Sequence, residues 1–218
     1  MISFKKILSL LLLIASLMTL VSCERDREYN EAEVIAAAKE LLLKTQAVNE
    51  IFYGKGFEVV EDEGVGIYKK ASAESLSSYG VFTIDDIKRK TLEVFSDKRS
   101  SIMFSTVLES IKDEGVIVHY LRYYEHTDED GNKYVMVNTD YDYHLKGSIE
   151  YLDGINVKDV KGEIIIIGVP VKLTSQSGKV KNTEIEIEMI EEEDGWRFNS
   201  PSEAVYNEST EEYENLNK

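Results

Sequence analysis

The sequence is poor in the residues that most often carry covalent or metal chemistry. Its 218 residues include one cysteine, Cys23, and three histidines, His119, His126 and His144. A single thiol cannot form an intramolecular disulfide, so a folded domain has to be held together by its core. The odd spacing of His119 and His126 puts them on opposite faces of one strand, which disfavours shared metal ligation. We therefore expect no metal and no cofactor.

Basic residues are scarce relative to acidic ones. Lysine and arginine number 25 against 41 aspartates and glutamates, so the formal net charge is -16. Such an excess repels phosphates, which excludes nucleic acid as a partner and opposes broad adhesion to anionic lipid headgroups. The acidic residues are spread along the chain, which favours a role in solubility over attraction to one cationic partner.

No hydrophobic run is long enough for a membrane-spanning helix. A predominantly apolar run covers residues 7–20, which is shorter than the roughly twenty residues that a helix needs to cross the hydrocarbon layer. Lys5 and Lys6 precede the run and a small residue, Ser22, follows it, an order typical of an export signal. We predict a signal peptide over residues 1–22.

The tetrapeptide after the apolar run, Leu20-Val21-Ser22-Cys23, resembles the lipobox of bacterial lipoproteins. In that family the cysteine sulfur receives diacylglycerol and the signal is removed. The resemblance implies lipid attachment at Cys23, a short tether over residues 23–30, and a position on the extracytoplasmic side of the membrane in the bacterial cell envelope. An ordinary secretory signal with a chance cysteine is the alternative.

Helical periodicity predicts three helices in the first half of the domain. Apolar residues recur at helical spacing over residues 31–52, and Asn30 can cap this helix. A second helix is predicted to begin after Thr83 and to end near Ser96, and a third to cover about residues 98–110. Residues 65–80 are only weakly patterned.

From Val116 onward the apolar period changes to two, which predicts strands. Residues 116–126 and 133–142 are expected to pair through a tight turn at Asp130-Gly131. Asp128, Asp130 and Asn132 imitate the start of a calcium loop, but the required later residues are missing, so this segment is also interpreted as a turn.

The last strands form a continuous pattern. Residues 161–174 predict a strand that is covered on both faces for part of its length, with Pro170 at an edge or a bulge. Residues 183–190 alternate, with the apolar set facing inward: Ile185, Ile187 and Met189. The segment Gly195-Trp196-Arg197-Phe198 is expected to close the sheet, and residues 202–218 to form an acidic tail.

Helices followed by an antiparallel sheet define an α+β class. The first helix leading into Ile51-Phe52-Tyr53-Gly54, the helix after Thr83, the strand pair over residues 161–190 and the Trp-containing terminal strand resemble the NTF2-like (cystatin-like) superfamily. The resemblance implies one domain over residues 31–201, with N-terminal helices packed on a curved antiparallel sheet to form a cone with an apolar cavity. Members include isomerases, carriers and dimerisation modules, so a homodimer is one expectation and the fold does not select a function.

Tyrosine is unusually abundant, with thirteen residues, and many of them lie in the middle strands. Tyr120, Arg122 and Tyr124 alternate onto one face, as do Tyr141 and Tyr143. Phenol rings combine contact area with hydrogen bonding, so such a face could bind sugars or a peptide. Cross-strand aromatic packing is the structural alternative. The candidate binding face therefore comprises Tyr120, Arg122, Tyr124, Tyr134, Tyr141 and Tyr143.

No catalytic motif is present. The sequence has no Gly-x-Ser-x-Gly elbow and no thiol beyond Cys23, which disfavours a hydrolase. We expect a membrane-anchored, non-catalytic module that binds an envelope protein, a peptide or a small ligand. Two alternatives stay open: an inhibitor of cell-wall remodelling hydrolases, suggested by a faint resemblance of the charged helices and aromatic hairpin to secreted endopeptidase inhibitors, and an isomerase-like enzyme with a buried carboxylate beside a tyrosine.

Overall fold

The computed structural model describes residues 29–108, 111–113, 116–119, 121–142, 147–207, 210 and 212–215. The predicted signal peptide and the lipid-attachment residue Cys23 lie outside the described residues. So do Tyr120 and Tyr143 of the candidate binding face, and His144.

Three of the four described helices lie where the sequence predicts them, and the fourth, Ala73–Ser78, lies in the weakly patterned segment 65–80, where no helix was predicted. Helix α1 covers Glu31–Phe52, and the Asn30 side chain caps it by accepting from the backbone nitrogens of Ala32 and Glu33. The prediction for this helix is confirmed at both ends. The remaining described helices are α2 (Ala73–Ser78), α3 (Ile84–Leu92) and α4 (Asp97–Val107). Thr83 caps α3 through a capping box with Asp86, so the predicted start of this helix is also confirmed.

The described strands are numbered in chain order. They are β1 (Val59–Val65), β2 (Tyr68–Ala71), β3 (Ile111–Asp113), β4 (Val116–His119), β5 (Tyr123–Thr127), β6 (Lys133–Asn138), β7 (Gly147–Tyr151), β8 (Asn156–Lys161), β9 (Ile164–Ser175), β10 (Val180–Glu192), β11 (Gly195–Phe198), β12 (Ala204–Asn207) and β13 (Glu212–Asn215).

The first sheet has the strand order β1-β2-β6-β5 and is antiparallel. The hairpin between β5 and β6 confirms the turn at Asp128–Asn132, where the Asn132 nitrogen donates to Asp128 Oδ1 over 2.7 Å. Gly131 adopts φ +83 there, a conformation that glycine tolerates best. The predicted strand over residues 116–126 is wrong in one respect: it is divided into β4, which pairs with β3, and β5.

The second sheet has the order β11-β10-β9-β7, with β8 also pairing with β9. In β10 the predicted alternation is confirmed, because Ile185, Ile187 and Met189 are buried while Glu186 between them is exposed. Strand β11 closes this end of the sheet as expected, with Trp196 opposite Glu191.

Pro170 lies in an interior strand, which corrects the prediction of an edge or a bulge. On one side β9 pairs continuously with β10; on the other it pairs with β8 up to Gly168 and with β7 from Val171. Pro170 falls between these two neighbours, where its carbonyl oxygen accepts from the Leu152 nitrogen over 2.8 Å. Because the nitrogen and oxygen of one strand residue face the same side, β10 does not require the N–H that proline lacks.

The segment after Pro201 is not simply the acidic tail we predicted. Strands β12 and β13 form an antiparallel hairpin in it, with Tyr206 opposite Tyr213. Ser202, Glu203 and Ala204 are buried, and β12 lies against β9 and β7. The described part of this segment therefore belongs to the folded core.

The class is α+β, as the sequence predicts, with a few helices and a strongly curled antiparallel sheet. Helix α1 packs against β8, β11 and α3. Its apolar stripe shares one core with the inward side chains of β9 and β10. The side of α1 that runs alongside β7 remains, and a groove forms between the two elements.

Candidate ligand-binding groove

The predicted tyrosine face is divided by the structure. Tyr124 and Tyr134 lie on one face of the first sheet, because Tyr124 is opposite Met136 and His126 is opposite Tyr134. Both rings are already engaged: Tyr124 packs edge-on against Tyr68 with ring centroids 4.8 Å apart, and Lys70 Nζ lies 4.0 Å above the Tyr134 ring. The arrangement fits the cross-strand packing alternative.

Arg122 is buried and contacts the C-terminal end of α1. Its Nη2 donates to the Gly54 carbonyl over 2.5 Å, and its guanidinium lies 5.1 Å from the rings of both Tyr123 and Tyr141. The last turn of α1 contains no basic residue. Arg122 therefore supplies, from a distant segment, the positive charge that favours a helix C-terminus. Tyr141 is only partly buried, and burial raises its pKa.

A groove lies between α1 and the segment that begins with β7. Its volume is about 450 Å³. On the helix side it is lined by Lys39, Leu42, Leu43 and Gln46, and on the other side by Ile149, Glu150, Tyr151, Leu152, Asp153 and Ile155. We call it the α1–β7 groove. Apolar walls with a few polar groups are typical of sites that bind small molecules or peptide side chains.

The helix wall of the groove contains an unusually exposed leucine. Leu42 is 6 % exposed and joins the core, whereas Leu43 is 82 % exposed. Adjacent helix positions differ by about 100° around the axis, so the run Leu41-Leu42-Leu43 extends beyond the stripe that the core covers. A leucine in this position contacts whatever occupies the groove.

The opposite wall is an open strand edge. The described sheet ends at β7, whose only strand partner is β9. Since the Leu152 nitrogen donates to the Pro170 oxygen, alternation along the ladder makes Glu150 and Ser148 the residues that bond β9. Ile149 and Tyr151 then present their N–H and C=O groups to the open side, and both line the groove.

A buried polar cluster lies at the hydroxyl of Tyr151. The Tyr151 hydroxyl donates to the Ser202 carbonyl over 2.9 Å. From α1, Asn49 Nδ2 donates to Glu203 Oε1 over 2.6 Å and to Ser202 Oγ over 3.0 Å, and Thr45 Oγ1 lies 2.8 Å from Ser202 Oγ. These contacts join α1, β7 and the segment before β12, and thereby fix the distance between the two walls.

Glu203 is the most perturbed carboxyl of this cluster. Burial raises its pKa to about 7, while hydrogen bonds from Asn49 and Tyr151 oppose the shift and the charge of Glu50 adds to it. Two buried acceptors, Glu203 Oε2 and Asn49 Oδ1, have no hydrogen-bond partner among the described residues. When the Glu203 carboxyl is protonated, its O–H group is a hydrogen-bond donor, which is the kind of group that a cluster with unpaired acceptors lacks.

The described residues hold no group of three or more histidine, cysteine, aspartate or glutamate side chains that could bind a metal ion. No helix in the described part of the chain is long and apolar enough to cross a membrane.

Sequence reasoning missed both walls of the groove. The run of three leucines in α1 was a usable signal, because one face of a helix cannot bury all three. Glu203 had no comparable signal, since its burial depends on Asn49, which is 154 residues away along the chain. Protein families, curated proteins and solved structures were compared with the chain, and none of them matches it.

Proposed function

We propose that this protein is a lipid-anchored, extracytoplasmic binding module that holds an apolar segment of a ligand or partner in the α1–β7 groove. The observation that carries the proposal is the groove itself: it has a volume of about 450 Å³ and is lined mostly by apolar residues, and its two walls are cross-linked by the Asn49–Glu203–Tyr151 contacts. A rigid, preformed apolar groove binds without a large ordering cost. Binding of this kind needs no catalytic group.

The NTF2-like assignment belongs to the same proposal. It is supported by a long first helix packed against a strongly curled antiparallel sheet, by two long neighbouring strands, β9 and β10, and by the short strand with Trp196 beside them.

The groove is tested with the apolar fluorophore anilinonaphthalene sulfonate. We expect Leu43→Glu to weaken fluorophore binding by about tenfold, because a charge replaces apolar contact area worth ~1.4 kcal/mol. The matched control is Val180→Glu, which also changes an exposed apolar residue but one that does not line the groove. Equal binding by both variants and the wild type would contradict the proposed site.

Anchoring is tested by metabolic labelling of cells with radioactive palmitate. We expect the wild-type protein to be labelled and to sediment with membranes, and the Cys23→Ala variant to be unlabelled and released, because the acyl chains are attached through that sulfur. A labelled Cys23→Ala protein, or a variant that sediments equally well, would refute the anchor while leaving the groove proposal standing.

A second candidate, an isomerase-like enzyme, is supported by one observation. Glu203, with a pKa near 7, has Oε1 3.5 Å from the hydroxyl of Tyr151, and a carboxyl beside a phenol can act as base and oxyanion donor. However, a general base has to reach the bound substrate, and Glu203 is not among the residues that line the groove. We therefore rank binding first.

A further inference from the structure

We propose that the partner of the α1–β7 groove is an extended peptide that adds a strand to the open edge of β7. This inference rests on the proposed function, because it names the class of molecule that the groove binds.

The backbone of β7 offers hydrogen bonds that no described residue uses. Ile149 and Tyr151 direct their N–H and C=O groups away from β9, as the Leu152–Pro170 bond and the ladder register require. No side chain or backbone group of the described residues bonds them. A small apolar ligand leaves these four groups unpaired, whereas an extended peptide pairs with them as a neighbouring strand does.

The groove also suits alternate side chains of such a strand. Side chains of a strand point to opposite faces in turn. The Tyr151 side chain reaches towards Ser202 beside α1, so the face of β7 that carries Ile149 and Tyr151 is turned to that helix. Peptide side chains on the same face then meet Leu42 and Leu43, while those on the opposite face point to solvent. We therefore expect the bound peptide to have apolar residues at alternate positions only.

The charged residues at the rim of the groove indicate which charges the ends of the peptide should carry. Lys39 on the helix wall and Asp153 after β7 both line the groove, and neither has an ion-pair partner among the described residues. Glu150 is neutralised by Lys172, whose Nζ lies 2.7 Å from its carboxylate. A peptide with an acidic residue near Lys39 and a basic residue near Asp153 complements this rim.

The test uses a fluorescein-labelled peptide of alternating valine and threonine, with lysine at one end and glutamate at the other. Two further forms are N-methylated, one at the valines and one at the threonines. Only one edge of an added strand pairs with β7, so we expect one methylated form to bind at least about tenfold more weakly than the parent and the other to bind like the parent. Leu43→Glu should weaken the parent peptide as well.

The remaining outcomes overturn the inference in distinguishable ways. Equal binding of all three peptides would mean that side chains bind without strand addition. If the fluorophore binds and the parent peptide does not, the peptide inference is wrong and the proposed function stands. If neither probe binds, both the inference and the proposed function are wrong. A concentration-dependent dimer in sedimentation that Ile149→Pro abolishes would assign the edge to a second copy of this chain.

Discussion

Replacing Glu203 with glutamine is expected to raise the free energy of unfolding above pH 7 by up to ~3 kcal/mol relative to the wild type. The folded state raises the pKa of Glu203 from 4.5 to about 7, so it binds the proton more tightly than the unfolded chain. The contribution of Glu203 to stability is therefore fully present below pH 4.5, falls as the pH rises to about 7, and stays low beyond it. Glutamine is neutral throughout and removes this loss.

The measurement is urea unfolding of both proteins below pH 4.5 and above pH 7, read as the difference between variant and wild type. Other carboxyls titrate in both proteins and cancel in that difference. Glu186→Gln is the matched control, because Glu186 is exposed on β10 and its replacement should change nothing. A Glu203→Gln variant that is less stable than the wild type above pH 7 would show that the carboxylate, and not the acid, is the form that the cluster holds.

The second large effect is expected at Gly56, which follows α1. Gly56 has φ +72, and a Cβ added there would lie inside contact distance of Tyr123 Oη and 2.7 Å from Arg122 Nη2. Both side chains are buried, and both bond carbonyls at the end of α1. We expect Gly56→Ala to destabilise the protein by ~3 kcal/mol or more, through backbone strain and overpacking together.

Gly66 provides a control of the same backbone type. Its φ is +60, and an added Cβ there would meet nothing within 4 Å. Gly66→Ala should therefore lower the free energy of unfolding only through backbone strain, by about 1 kcal/mol. Equal unfolding midpoints for the two variants would contradict the packing of Arg122 and Tyr123 against the end of α1.

Local patterns account for the parts of the fold that the sequence predicted. Helix α1 was found with its cap because its stripe, its Asn30 side chain and its terminal glycines agree with one another. Strand β10 was predicted correctly because the side chains of one face are buried and those of the other face are in contact with solvent. The β1–β2 hairpin was missed, since five of the seven residues of β1 are exposed, three of them acidic, and the strand has no apolar alternation to detect.

Long-range contacts account for what the sequence could not predict. Arg122 was assigned to an exposed face by alternation, but a bond to Gly54, 68 residues away, buries it. Residues 202–204 were assigned to an acidic tail, whereas Thr45, Asn49 and Tyr151 supply partners that no local pattern shows. The candidate site depends on these same contacts, so the groove could not be assembled from periodicity alone.

Amide hydrogen exchange along β7, followed by NMR, tests the central claim most directly. We expect the N–H groups of Ile149 and Tyr151 to exchange faster in the free protein than those of Ser148 and Glu150, because only Ser148 and Glu150 bond β9. Adding the parent valine–threonine peptide should then slow Ile149 and Tyr151 selectively. Equal protection of all four amides in the free protein would mean that the edge of β7 is already paired, and would contradict the account.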